Sequence, residues 1–205
     1  GVLKDGVPKQ TFTAKVRPGD IKYVDLDKNG VIDTYDQMAI GGTENPEIVY
    51  GFGVNLRWKD LDFGAMFQGI GRTWRILSSN IMPASNKGSM YNIFDNYQDR
   101  WTVDNQSQDV FYPRADYGPN ANNSQKSTWW LRNMSFLRLK NLELGYSCPK
   151  KWLQGFVISN ARVFVRGTNL LTFSKFNLWD PELATGDGAK YPAMKSVSVG
   201  FDITF

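Results

Sequence analysis

Residues 25–36 read DLDKNGVIDTYD. They place Asp25, Asp27 and Asn29 at the first, third and fifth positions of a twelve-residue loop, Gly30 at the sixth, Val31 at the seventh, Asp33 at the ninth and Asp36 at the twelfth. Calcium takes six to eight hard oxygen ligands in a flexible shell, and a glycine at the sixth position permits the sharp turn that gathers them. The spacing predicts a structural calcium ion held by the side chains of Asp25, Asp27, Asn29, Asp33 and Asp36 with the Val31 carbonyl, and Ile32 serves as the apolar anchor. The same residue types also build Asx turns without any ion, because Asp and Asn side chains bond the backbone two residues on. Both readings make the loop structural, since a shell supplied by the protein leaves little room for a substrate.

Other chemistry is scarce. His is absent and Cys148 is the only cysteine. That excludes His-dependent triads, imidazole zinc sites, internal disulfides and cysteine metal clusters. Asp95, Asp99 and Asp104 lie in a long polar stretch and read as solvated loop charges, with no nucleophile–base pair to make an enzyme. The 24 basic and 20 acidic residues give a net charge of +4. The basic residues are scattered, so no nucleic-acid-binding stripe forms. The acidic loop itself departs from an EF-hand: its twelfth residue is Asp36 rather than a long bidentate Glu, and Pro18–Tyr23 reads as a turn and a short extended run rather than a helix. It resembles the calcium loops of dockerin modules more than an EF-hand pair.

The elements that must carry this loop are strands. Of 205 residues 41% are apolar and 21% charged, too apolar for disorder and too polar for a bundle of membrane helices. Thirteen Phe, nine Tyr and seven Trp, beside 19 Gly and nine Pro, lean towards an all-β chain with sizeable loops. The opening GVLKDGVPKQ has no apolar signal-peptide core, and no apolar run is long enough for a transmembrane helix. Neither test bears on a β-barrel. Strict alternation marks residues 195–205, with Val197, Val199, Phe201, Ile203 and Phe205 on one face. Tyr50, Phe52, Val54, Leu56 and Trp58 share a face in 47–58, and Leu61, Phe63, Ala65 and Phe67 in 60–71; the short connection makes these two a hairpin. In 133–147 the apolar phase slips from Leu137 and Leu139 to Leu142, Leu144 and Tyr146, which predicts a β-bulge at Lys140-Asn141. In 159–170, Ala161, Val163 and Val165 alternate with Arg162, Phe164 and Arg166, Phe164 interrupting the polar face.

Five strands of about ten residues have the length that crosses a bilayer when tilted. Short turns at 58–60 and 148–159 oppose long polar connections at 72–132 and 171–194, as in an outer-membrane barrel. Trp58, Trp129, Trp130, Tyr146, Trp152, Phe173 and Phe205 cluster at strand ends and suggest an aromatic girdle. Within the long connection, residues 90–101 space Ile93, Phe94, Tyr97 and Trp101 for a helix. The domain reading is a loop region over 1–46 and five strands over 47–205. The alternative is a soluble all-β binding module with a calcium-stabilised loop, in which a second sheet rather than lipid covers the apolar faces.

The order of several short segments adds a family resemblance. Pro18-Gly19-Asp20-Ile21-Lys22-Tyr23 runs into the acidic loop and is followed by Ile40-Gly41 and Pro46. Further on come Ser135-Phe136-Leu137-Arg138-Leu139-Lys140-Asn141, Leu144-Gly145-Tyr146, Gly167-Thr168-Asn169-Leu170-Leu171-Thr172-Phe173 and Asp180-Pro181-Glu182. From about residue 17 onwards the chain resembles the C-terminal part of SusC/RagA-family TonB-dependent outer-membrane transporters of Bacteroidetes. The resemblance implies antiparallel strands from a transmembrane barrel of the 22-stranded type, with Phe205 as the residue that barrel-assembly machinery reads. It also implies uptake of glycan or peptide cargo, a SusD-like surface lipoprotein, TonB acting through an N-terminal part, and outer-membrane lipid around the strands. The last strand should run towards the periplasm, leaving the acidic loop and the long connections outside the cell. Five strands cannot close a barrel, so the chain is expected to be one part of a larger wall.

Overall fold

A computed structural model describes residues 2, 9–13, 16–78, 81, 94–116, 118, 120–155 and 157–205. In chain order the strands are β1 (Lys9–Gln10), β2 (Val31–Ile32), β3 (Ile48–Trp58), β4 (Leu61–Gly71), β5 (Trp74–Ile76), β6 (Leu131–Asn133), β7 (Phe136–Ser147), β8 (Asn160–Ser174) and β9 (Ser196–Thr204). One short helix, α1 (Lys150–Leu153), and two 3-10 turns, Asp95–Gln98 and Pro181–Leu183, complete the described elements. The chain divides into two units: Gly1–Gly41 with Ile76–Arg132, and Gly42–Arg75 with Asn133–Phe205. Of the stretch 72–132, read from sequence as one connection between strands, residues 76–132 thus group with the segment before residue 42.

The second unit holds a five-stranded antiparallel sheet in the order β3-β4-β7-β8-β9. All five expected strands are present. β8 runs four residues past its expected end at 170, because alternation restarts at Leu171 beyond Asn169, which adopts a φ of 54°. The expected bulge is there: the β7 register breaks between Leu139 and Asn141 against β8, leaving Lys140 unmatched. The register carries one apolar face across the whole sheet. Phe52 pairs with Phe67, Phe67 with Leu139, Leu139 with Leu171; lower down, Trp58, Leu61, Tyr146, Val163 and Phe201 form a row. Phe164, the interruption of the polar face, lies across Gly200 of β9, where a Cβ would sit 2.4 Å from its ring. The guanidinium groups of Arg162 and Arg166 flank that ring at 5.0 and 5.2 Å, a favourable use of its π-faces.

The first unit is built differently. Its only ladder among the described residues of 1–41 is the parallel pair β1–β2. Its interior combines Ile21, Ile32, Leu77, Trp101, Tyr112 and Trp130 with buried polar groups. Asp20, 0% exposed, accepts bonds from the Arg17 N–H (2.8 Å), the Asn123 amide (2.9 Å), the Asn120 amide (3.1 Å) and the Arg114 guanidinium (3.1 Å). The Gln10 amide donates to Asn122 Oδ1, the Asn122 amide to the Ile21 carbonyl and the Tyr23 hydroxyl to the Asn122 carbonyl. These bonds satisfy backbone that no sheet or helix serves. Burial raises the Tyr23 hydroxyl pKa, and it pushes that of Tyr112 up to about 12.

Two expectations need correction here. Trp130 does not belong to a girdle: it is 1% exposed, its indole donates to the Asn123 carbonyl, and Trp129 and Phe111 lie edge-on to it. The helix expected over 90–101 does not extend through its described part. Residues 90–93 lie outside the described residues, 95–98 make a single 3-10 turn, and the Trp101 N–H donates to the Tyr112 carbonyl instead of a helical partner. Tyr97 is drawn to the Tyr112 ring, 5.4 Å away, so tertiary packing takes the aromatics that suggested a helical face.

Candidate functional site

Three features carry the chemistry of this chain. The first is the acidic loop. The carboxylates of Asp25, Asp27 and Asp36 converge, with oxygens within 4.8 Å of one another. Asp33 stands outside this group and accepts the Tyr35 N–H at 2.8 Å. Asn29 is turned to its neighbours, its amide donating to Asp27 and its oxygen accepting the Val31 N–H. Val31 lies in β2. The spacing is therefore gathered in part: three of the six expected ligands meet. Their oxygens also close the loop on itself. Asp25 accepts the Gly30 N–H at 2.8 Å, and Asp36 accepts those of Leu26 at 2.6 Å and Asp33 at 2.8 Å. The bond from Asp33, with those from Leu26 and Asp27, holds the Asp36 carboxyl below its usual pKa. Hard carboxylate oxygens of this kind suit calcium, and three of them at such separations repel one another without a cation.

The second feature is the sheet with its two unlike faces. On the apolar face Val199 and Phe201 are 73% and 74% exposed, and Phe52, Leu56, Leu144, Val165 and Phe173 are also exposed. On the polar face one ion-pair chain crosses four strands. Arg162 of β8 reaches Asp62 of β4, Glu143 of β7 (2.6 Å) and Asp202 of β9 (3.5 Å), while Arg166 also pairs with Glu143 at 2.6 Å. Arg162 reaches Asp62 by passing over Gly145, where a Cβ would lie 2.3 Å from its guanidinium. A concavity of about 840 Å³ opens beside this chain, with Asn55, Arg57, Asp62, Asn141 and Glu143 among its lining. Sequence reasoning did not single out these charges, although each occupies a polar-phase position of an alternating strand. Trp58, 67% exposed, and Tyr146 lie in one row at the short-turn end, joined through Leu61.

The third feature joins two segments noted separately in the sequence. Arg138 of β7 forms ion pairs with Asp180 and with Glu182 (2.8 Å), and Lys140 pairs with Glu182 at 3.1 Å. Of the loop aspartates, Asp99 is not merely solvated: its carboxylate accepts the Phe111 N–H and its carbonyl the Tyr112 N–H.

A sheet that is bare and apolar on one side and charged on the other, on strands of bilayer-crossing length, has the pattern of a transmembrane β-wall. No family model matches the sequence. Over 202 residues the chain is 32% identical to a TonB-dependent receptor of Formosa agariphila, a match covering 91% of this chain and 20% of that relative. It is 24% identical over 205 residues to the TonB-dependent receptor SusC of Bacteroides thetaiotaomicron, covering 97% of this chain and 19% of the relative. The structure of the RagAB peptide importer in the open-open state matches with a TM-score of 0.72 and 29% identity, covering 100% of this chain and 21% of that one. These likenesses place the chain with the SusC/RagA-like TonB-dependent transporters. Its relatives are receptors and importers, not enzymes. The chain spans about one-fifth of the length of the curated relatives it matches.

Proposed function

We propose that this chain is wall and loop material of an outer-membrane importer, with its apolar face against lipid and its charged face lining the lumen. The observation that carries the reading is the register-matched apolar face, with Phe52, Leu56, Leu144, Val165, Leu171, Phe173, Val199 and Phe201 all exposed on it. The unpaired edges of β3 and β9 would meet further strands of the same barrel, since open edges are not tolerated in lipid. The work of the whole protein is TonB-driven uptake, with a SusD-like lipoprotein over the extracellular side and a glycan or peptide as cargo. The likeness to a peptide importer supports peptide cargo, and glycan cargo rests on the resemblance carried by the sequence segments. The short turns face the periplasm, and the acidic loop and long connections face outwards.

The loop at 25–36 is proposed as a structural calcium site, with Asp25, Asp27 and Asp36 as its core and Asn29, Asp33 and the Val31 carbonyl completing the shell. The convergence of the three carboxylates supports it. Bound calcium would supply charge neutralisation and order in this loop and take no part in transport chemistry.

The lipid test uses the native-length protein folded into vesicles whose acyl chains carry bromine. A fluorophore on a cysteine at Val165 or Val199 should be quenched, and one at Arg166 or Ser198 should not. Equal quenching on both faces, or a monodisperse monomer without detergent, would overturn the membrane reading in favour of a soluble module.

A further inference from the structure

We propose that the β8–β9 connection, residues 175–195, is a strap latched across the polar face of the sheet by Arg138 and Lys140, and that it opens independently of the strands. The clause that gives this motion a purpose, namely that the strap narrows the lumen, rests on the transporter reading above; the latch itself does not.

The latch is ionic and local. Glu182 receives Arg138 Nη1 at 2.8 Å and Lys140 Nζ at 3.1 and 3.3 Å, while Asp180 receives the other arm of Arg138. Asp180 also accepts the Glu182 N–H at 3.0 Å and so caps the 3-10 turn that presents both acids. Arg138 is 2% exposed, yet its Nε finds no acceptor. Arg138 pairs in register with Gln68 and Thr172 on the polar face, and Lys140, two residues on, shares that face by ordinary alternation. Lys140 is itself the bulge residue, without a ladder partner on either side.

The strap has a small core of its own. Phe176 is buried, its ring lies 4.9 Å from that of Trp179, and Trp179 rests on Gly188, where a Cβ would be 3.0 Å away. The Lys190 ammonium returns to the Leu183 carbonyl. None of this is strand pairing. The β8–β9 ladder runs from Asn160–Thr204 to Thr168–Ser196 and ends there, and β8 beyond Leu171 pairs with β7. The strap can therefore leave the wall by breaking the ion pairs and the bond from the Asn169 amide to the Met194 carbonyl (3.0 Å) while every ladder bond stays intact.

Hydrogen exchange on the native-length protein in detergent micelles reads this directly. The informative amides are Glu182, Leu183 and Ala184, bonded to Asp180 Oδ1, the Asp180 carbonyl and the Pro181 carbonyl. They should exchange more slowly than an unstructured peptide and faster than the amides of β7. Glu182→Gln, and separately Lys140→Met, should speed them about tenfold, the factor for losing one charged bond partly replaced by water, and leave β7 unchanged. Glu47→Gln, which removes an ion pair with Arg72 elsewhere, should leave them at the wild-type rate. Wild-type exchange at the unstructured rate, no effect of either latch variant, or exchange only in step with β7 would each overturn the strap. Since lipid plays no part in this readout, a failed bromine-quenching result leaves the latch standing but removes the lumen it would narrow.

Discussion

Replacing Asp20 by Ala should unfold the first unit locally while the five-stranded sheet persists. The carboxylate is fully buried and takes four donors. After truncation Arg114 and the Asn120 amide keep Asp116, at 2.9 and 3.1 Å, but the Arg17 N–H and the Asn123 amide lose the partner they have here. A buried donor left unsatisfied costs about 1–3 kcal/mol, and removing one partner of a buried ion pair about 3–5 kcal/mol. These overlap rather than add, so the expected loss is about 3–5 kcal/mol, against a typical domain stability of about 5–15 kcal/mol. Hydrogen exchange locates it. The Arg114 amide, bonded to the Gly19 carbonyl at 2.8 Å, and the Trp101 amide, bonded to that of Tyr112 at 3.0 Å, should exchange roughly two to three and a half orders of magnitude faster. Amides of β4 and β7 should not change. Asp20→Asn should cost nearly as much, because its amide turns a donor towards donors. Acceleration of less than tenfold at both amides would show that the buried carboxylate is not what holds this unit.

Gly145→Ala should destabilise the sheet by about 1–3 kcal/mol, since the new Cβ would displace the Arg162–Asp62 pair; an unchanged thermal midpoint of the native-length protein would count against that pair's importance. Val199→Arg should cost about 2–4 kcal/mol of folding free energy in vesicles while Ser198→Arg costs little, and equal penalties would contradict the assignment of faces. Calorimetric titration with calcium should saturate at millimolar concentrations or below, and lose that saturation in the Asp25→Ala, Asp27→Ala double variant; no heat up to several millimolar leaves only the Asx turns. Asp187 sits below its usual pKa because the Thr185 hydroxyl and then the Ala189 N–H bond to it. A lowered folded-state pKa stabilises above the ordinary carboxylate value and is lost as pH falls through the folded value. Strap exchange, corrected for its intrinsic rate, should therefore be flat from pH 7 to about 5 and quicken below about 4, and a change centred near pH 7 would exclude this group.

The sheet was legible because a wall with unlike sides writes itself in period two. The phase slip at Lys140-Asn141 located the bulge, and Val197, Val199, Phe201 and Ile203 fall in register with Gly167, Val165, Val163 and Ala161 of β8. The first unit was not legible, for a physical reason. Its order comes from bonds between side chains and backbone about a hundred residues apart, such as Tyr23 to Asn122 and Ile21 to Asn123, and such bonds impose no period. Trp130 and Tyr97 misled for the same cause: an aromatic side chain declares that it will be buried somewhere, but not against what. The acidic loop fell between these cases. Its spacing drew Asp25, Asp27 and Asp36 together, whereas Asp33 was taken by the nearer N–H of Tyr35.

The bulge also settles a matter of bookkeeping between neighbouring strands. Alternation forbids a one-residue slip, since that would turn every apolar side chain inward, but it is blind to a slip of two. β7 and β8 carry nearly uniform rows of Leu and Val that would match equally well after such a slip. The unmatched Lys140, set against Asn169 and Leu170, removes that degeneracy. Shifted by two, the kink of one strand would meet regular backbone of the other and the ladder would break on both sides of it. One irregular position thus gives two long, repetitive strands a unique alignment.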